Sequence, residues 1–236
     1  GIDGIRYPAG TLTGIKSDAF NYVVFDENAV TVEEHAVYEK EGEYGDIKAE
    51  IEAEIADILD IARKNGTLGK APNGKKSNLS ERQWAMVRTR RFKEWFGDWE
   101  ADTANSSKVV DENGEPLVVY HGTPEEFEEF KRDKINPWSG GTFQFTPDEQ
   151  GYAAAFGNTK AYFLNIKSPA TAGEWSIAFK GTNGHPEKVA NRLKAMHRDG
   201  VHTKFRMEIW GAIDPTQIKS ATGNIGTFDK TDTNIL

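Results

Sequence analysis

The 236-residue chain contains no cysteine, which excludes disulfides, cysteine nucleophiles and thiolate metal sites together. Histidine is scarce. His35, His121, His185, His197 and His202 show neither HExxH nor any other tight ligand spacing, so no metal is expected. Positive charge is also short: 29 Lys and Arg face 37 Asp and Glu, giving a formal charge of -8 and a pI near 5.3. That balance argues against a partner such as nucleic acid or an anionic membrane, because both require a cationic face. The basic run "VRTRRFK", Val87 to Lys93, reads as the solvated face of a short helix. No apolar run approaches the roughly 18 residues of a membrane span, and the N-terminus lacks a charged-then-apolar leader pattern. The opening "GIDGIRY", without methionine, reads as a segment of a longer polypeptide.

What is present suffices for a core: 37% of residues are apolar and 11% aromatic, ordinary for a globular chain of this length. Residues 1–32 read as a β-hairpin, "GIRY" and "NYVVFDENAV". Glu33 to Lys64 is acidic and helical, with Ile47, Ile51, Ile55, Ile58, Leu59 and Ala62 on one stripe that needs a partner. Lys64 to Asn78, rich in Gly, Asn and Lys, reads as a flexible loop, so residues 33–80 form a helix and linker.

Ser80 with Gln83 forms a capping box for a helix that carries Trp84 and Val87 inward; Thr89 restarts it, and Phe92, Trp95 and Phe96 follow before Gly97. The tryptophans Trp84, Trp95 and Trp99 are read as a local core in preference to a base-stacking platform. Asn113-Gly114 suits a tight hairpin that delivers the strand "PLVVYHGT". "GGTFQFT" and "AYFLNIKSP" read as further strands, with "DEQGYAAAFG" as a short helix between them. The run Glu125 to Glu129 reads as a short helix with Phe127 and Phe130 turned inward. A later helix runs from Pro186 and closes at Gly200, "FRMEIWGAI" is a strand, and the polar tail after Ser220 is expected to pack loosely.

The chain also echoes itself. Asp3-Gly4 followed by a strand ending at Asp26 is similar to Asp199-Gly200 followed by a strand ending at Asp214. Residues 1–32 are accordingly read as the end of a preceding related domain, the alternative being that they add strands to the one domain present; with Asn21 in place of an acid and no His-Gly-Thr half, they hold no complete site.

"VVYHGT", then "GGTFQFTPDEQGYAAAFG", then a late strand containing Glu208, resembles the diphtheria-toxin and poly(ADP-ribose) polymerase type of ADP-ribosyltransferase, the His-Tyr-Glu class. "SERQWAMVRTRRFKEWFGDWE", "LNIKSP" and "DPTQIKSATGNIG" look like the ADP-ribosyltransferase-like domains of polyvalent proteins of phages and conjugative elements. The resemblance covers residues 81–236. It implies an α+β fold in which a split mixed or antiparallel β-sheet follows a helical segment. It implies NAD as bound substrate, with transfer of ADP-ribose to an unknown macromolecular acceptor or to water, and no metal. A cytoplasmic place of action follows, in a bacterial cell that receives the protein as a toxin or effector of a mobile element. The implied binding residues are His121, Gly122, Thr123, Phe143, Gln144, Thr146 and Phe156, and the implied catalytic residues are Glu208, His121, Phe156 and Tyr152. Phe156 stands where the family pattern has tyrosine, and Tyr152 lies one helical turn earlier. Counting back from Asp214 puts Ile209 at the usual glutamate position, so a bulge beside Gly211 would be needed to turn Glu208 into the cleft. A non-catalytic module that keeps the fold is the alternative.

Overall fold

The computed structural model describes residues 4–8, 20–24 and 43–236, in two compact units, Gly1–Glu41 and Gly42–Leu236. In the first unit, β1 (Gly4–Pro8) pairs antiparallel with β2 (Phe20–Val24), Gly4 opposite Val24. The expected helical residues 33–42 lie outside the described residues.

The second unit begins with α1 (Glu43–Asn65), whose stripe finds its partner in α2 (Glu81–Met86) and α3 (Arg90–Phe96). Ser80 caps α2 through the Gln83 amide while the Gln83 side chain returns to the Ser80 N–H, and Thr89 caps α3. Trp84, Val87, Phe92, Trp95 and Phe96 are all buried, and Trp99 donates its indole N–H to the Val87 carbonyl. The Lys64–Asn78 segment folds back on itself with Lys70 bridged to Lys76, and the Lys70 carbonyl accepts the Trp84 indole N–H.

Two sheets follow. The first is antiparallel, in the order β3 (Val119–Thr123), β5 (Asn158–Leu164), β9 (Ile218–Ser220). The second is mixed, in the order β4 (Phe143–Phe145), β8 (Ile209–Ala212), β7 (Gly200–Thr203), β6 (Pro169–Ala170), with β6 and β7 parallel. A backbone bridge between Tyr120 and Thr146 joins β3 to the end of β4.

Strand alternation decides what each sheet face meets. On β5, Phe163 turns to the α1–α3 cluster, whereas Tyr162 and Leu164 turn to Phe143, Phe145 and Trp210 of the second sheet. On the far face of that second sheet, Val201 and Ile213 pack with α4 (Ala172–Phe179) and α5 (Pro186–Ala195). The unit is therefore four layers: helices, sheet, sheet, helices.

Several expectations are corrected. α5 ends at Ala195, five residues before Gly200, because His197 adopts a left-handed φ of 56° and the Asp199 carboxylate accepts the Lys167 and Ser168 amides to start β7. The Asn113-Gly114 turn is longer than a two-residue hairpin: Asp111 Oδ1 accepts the Asn113 and Glu115 amides, and pairing resumes at Val110 and Pro116. The Glu125–Glu129 run is not helical, although Phe130 is buried. The tail is well packed, with Phe228 against Phe92 and Trp95 and with Ile235 bonded to Ser220 and Glu128. α4 was not anticipated, despite the Thr171-to-Glu174 capping box that opens it. The β7–β8 hairpin pairs Gly200 with Ala212, two residues before the closing Asp214, in the same register as Gly4 with Val24 before Asp26.

Candidate functional site

β3 is paired along one edge to β5 over its whole length, but along the other edge, among the described residues, only Tyr120 is paired, to Thr146. Residues two apart in an antiparallel strand direct their N–H and C=O to the same edge. Gly122 therefore presents both groups to the open edge, just beyond the last bridge. Below it, the chain between β4 and β5 forms a 3-10 turn, Ala153–Phe156. A Cβ on Gly122 would lie 1.7 Å from the Ala153 carbonyl oxygen, so no other residue lets strand and turn approach this closely. Gly157, with φ of 124°, closes the turn against the backbone of Thr123 and Pro124.

The result is a cavity of about 560 Å³, in the ordinary range for small-molecule sites. His121, Gly122, Thr123, Tyr152 and Phe156 line it, as do Phe143, Gln144 and Thr146. Tyr152 and Phe156 stand together at its mouth, ring centroids 4.8 Å apart and edge to face. Trp138, 93% exposed, forms part of the rim. Sequence reasoning passed over Trp138; the available signal was a large aromatic in a polar Pro- and Gly-bearing turn, "NPWSGG".

His121 is the most constrained polar group here. Its ring packs against Phe130 and Phe145 at 5.2 and 5.4 Å, and its Nδ1 lies 2.8 Å from the Gln144 carbonyl oxygen. A carbonyl only accepts, so Nδ1 carries the proton and donates. Burial depresses the imidazole pKa below its ordinary value, outweighing the Gln144 carbonyl, which acts the other way. The ring is thus neutral near pH 7 and leaves the Nε2 lone pair as an acceptor.

The polar groups of Gln144, Thr146 and Thr123 are engaged by protein. The Gln144 amide donates to the Ser139 carbonyl, the Thr146 hydroxyl donates to Asp148, and the Thr123 hydroxyl accepts the Glu125 amide. Gln144 orients His121 and holds the rim loop; Phe143 is a core residue that forms the cavity wall.

Glu208 is not among the residues lining this cavity. It precedes β8 by one residue, and β8 pairs without a bulge through Gly211, opposite both Gln144 and Val201. The expected bulge is absent, yet Glu208 faces the side that the bulge was invoked to reach. Its Oε1 lies 2.9 Å from His202 Nε2, and the His202 ring lies flat on Trp210, at 3.7 Å and 6°. Trp210 pairs with Phe145, whose ring neighbours His121. Glu208 therefore stands on the inter-sheet face, while Ile209 shares the parity of Gly211 and Ile213, on the side of α4 and α5. Partial burial raises the Glu208 pKa, but hydrogen bonds from His202 and Lys204 and the charges on both outweigh it and hold the carboxyl below its usual value.

A larger concavity of about 1110 Å³ lies against Glu126–Lys131 and the chain's last residues, but it contains neither His121 nor Gly122. Among the described residues no group of three His, Asp or Glu could hold a metal, and no helix is long and apolar enough to cross a membrane.

Two facing sheets, split so that a His-Gly-Thr strand end and an aromatic turn frame one cavity, define an α+β fold of the ADP-ribosyltransferase type. Residues 111–228, half of the chain, match the family described as ADP-ribosyltransferase in polyvalent proteins, and the chain belongs to that family. Neither a curated protein nor a solved structure matches it.

Proposed function

We propose that the chain binds NAD in the His121 cavity, cleaves the nicotinamide–ribose bond and transfers ADP-ribose to a macromolecular acceptor or to water. The observation that carries this reading is the open edge at Gly122, a peptide N–H and C=O with no partner among the described residues, set between a neutral histidine and two aromatic rings. A carboxamide needs one donor and one acceptor on adjacent atoms, and a strand edge supplies that pair. Tyr152 and Phe156 supply faces for a cationic pyridinium, worth about 0.5–2 kcal/mol. His121 Nε2 accepts from a ribose hydroxyl.

In the reaction the bond between the ribose anomeric carbon and the ring nitrogen breaks, its electron pair leaving with neutral nicotinamide. The sugar becomes oxocarbenium-like, and a nucleophile bonds to the same carbon and gives up its proton. Glu208 holds the 2'-hydroxyl and stabilises the developing positive charge, an effect realised mainly in the transition state. Since NAD is a cytoplasmic pool, the reading implies action in the cytoplasm.

The test is calorimetric titration with NAD and measurement of nicotinamide release, for wild type and for Glu208→Ala. The variant is expected to keep the fold and NAD binding and to lose turnover. A wild-type protein that neither binds NAD nor releases nicotinamide sinks the proposal. One observation favours a second reading, a non-catalytic module of the same fold: Glu208 is outside the cavity lining and already bonded to His202. NAD binding without turnover supports that reading.

A further inference from the structure

Glu208 sits at the end of an exposed turn, Lys204–Glu208, where a carboxylate with no partner would sample several rotamers. It is not left so. His202 comes from β7, opposite Trp210, and its ring is laid flat on the indole at 3.7 Å. Strand position and stacking together fix the imidazole, and its Nε2–H reaches Glu208 Oε1 at 2.9 Å. Lys204 Nζ lies 3.1 Å from the same oxygen. Both contacts fall on Oε1, so Oε2 remains for another donor.

We infer that His202 is a positioning residue: clamped on Trp210, it fixes the Glu208 carboxylate so that Oε2 is presented to a ribose hydroxyl. The inference rests on the NAD-cleaving reading above. Lys204 is a weaker candidate for the same task, since its side chain is 65% exposed and a flexible surface ion pair fixes geometry poorly. The ionisable groups that face the carboxylate are His202 on β7 and Lys204 in the turn, and both favour its charged form.

The experiment uses the full chain with His202→Ala and His202→Gln. Four quantities are measured: nicotinamide release, NAD affinity by calorimetry, thermal midpoint, and the Glu208 titration by carbon-13 NMR of its carboxyl carbon. For the alanine variant, kcat is expected to fall roughly 10- to 100-fold, the scale of a misplaced catalytic group, while NAD affinity and KM stay within about two-fold. Glutamine, which keeps a donor near the Nε2 position, restores most of kcat. Without the imidazole donor the Glu208 carboxyl titrates at higher pH. An alanine variant with wild-type kcat, glutamine no better than alanine, or an unmoved carboxyl titration overturns the inference. If wild-type protein releases no nicotinamide, the NAD reading fails by itself, and the titration alone then decides whether His202 holds Glu208.

Discussion

Replacing Gly122 by alanine separates the structural demand on this residue from any ligand. The added Cβ would sit 1.7 Å from the Ala153 carbonyl oxygen and 2.7 Å from its carbon. Ordinary carbon–oxygen contact begins near 3.3 Å, so strand and turn must part by roughly 1.5 Å. Neither side yields easily, since β3 is held to β5 by five residue pairs and the turn is closed by Gly157 against Thr123 and Pro124. Overpacking costs about 1–3 kcal/mol, and a backbone-on-backbone clash belongs at the upper end. At about 2–4 °C per kcal/mol for a domain of this size, a loss near 3 kcal/mol lowers the midpoint by roughly 6–12 °C. The assay is thermal unfolding without ligand, beside Gly173→Ala as control, where the nearest atom to the new Cβ is 3.9 Å away. Amide shifts of Ala153–Gly157 report whether the aromatic turn moves. A Gly122→Ala midpoint no lower than that of the control refutes the reasoning.

Arg88 lies between the Trp84 and Trp99 rings and pairs at 2.9 Å with Glu115, whose side chain is 0% exposed. Arg88→Ala strands that carboxylate and should cost about 3–5 kcal/mol in urea unfolding, whereas Arg88→Met with Glu115→Leu should cost clearly less. A histidine whose folded pKa is depressed stabilises the fold fully above its ordinary value of 6.5 and loses that contribution as pH falls below it. A pH series of urea midpoints should therefore drop below about pH 6.5, and His121→Gln should flatten the drop. A fragment beginning at Asp111 keeps the family-matched residues but uncovers Phe163, Ala221 and Phe228, which pack on α1–α3. It should bind a hydrophobic dye and melt without cooperativity, and a sharp transition would contradict the layer assignment.

Much of the local structure was legible because its causes are local. Ser80 with Gln83, and Thr89 with Phe92, are capping contacts made within one helical turn, and the α1 stripe follows from a 3.6-residue period. The strand that carries His121 was legible for the same reason, a short apolar run after a turn-forming Asn-Gly. The well-packed tail was not legible. Its residues are polar or glycine apart from Ala221, Ile225, Phe228, Ile235 and Leu236, and a partner more than a hundred positions away, Phe92, decides that Phe228 is buried.

The same division runs through the site. Residue identity alone determined that thiol chemistry is excluded and that His121, Gly122 and Thr123 end a strand, since these depend on side-chain chemistry and short-range pattern. Only the tertiary structure decided why residue 122 is glycine, through a carbonyl 31 positions along the chain. It also decided the face of Glu208. Counting along one strand put Ile209 in the cleft, but a side chain's direction is set by its cross-strand partners, and His202 on Trp210 turns Glu208 inward without a bulge.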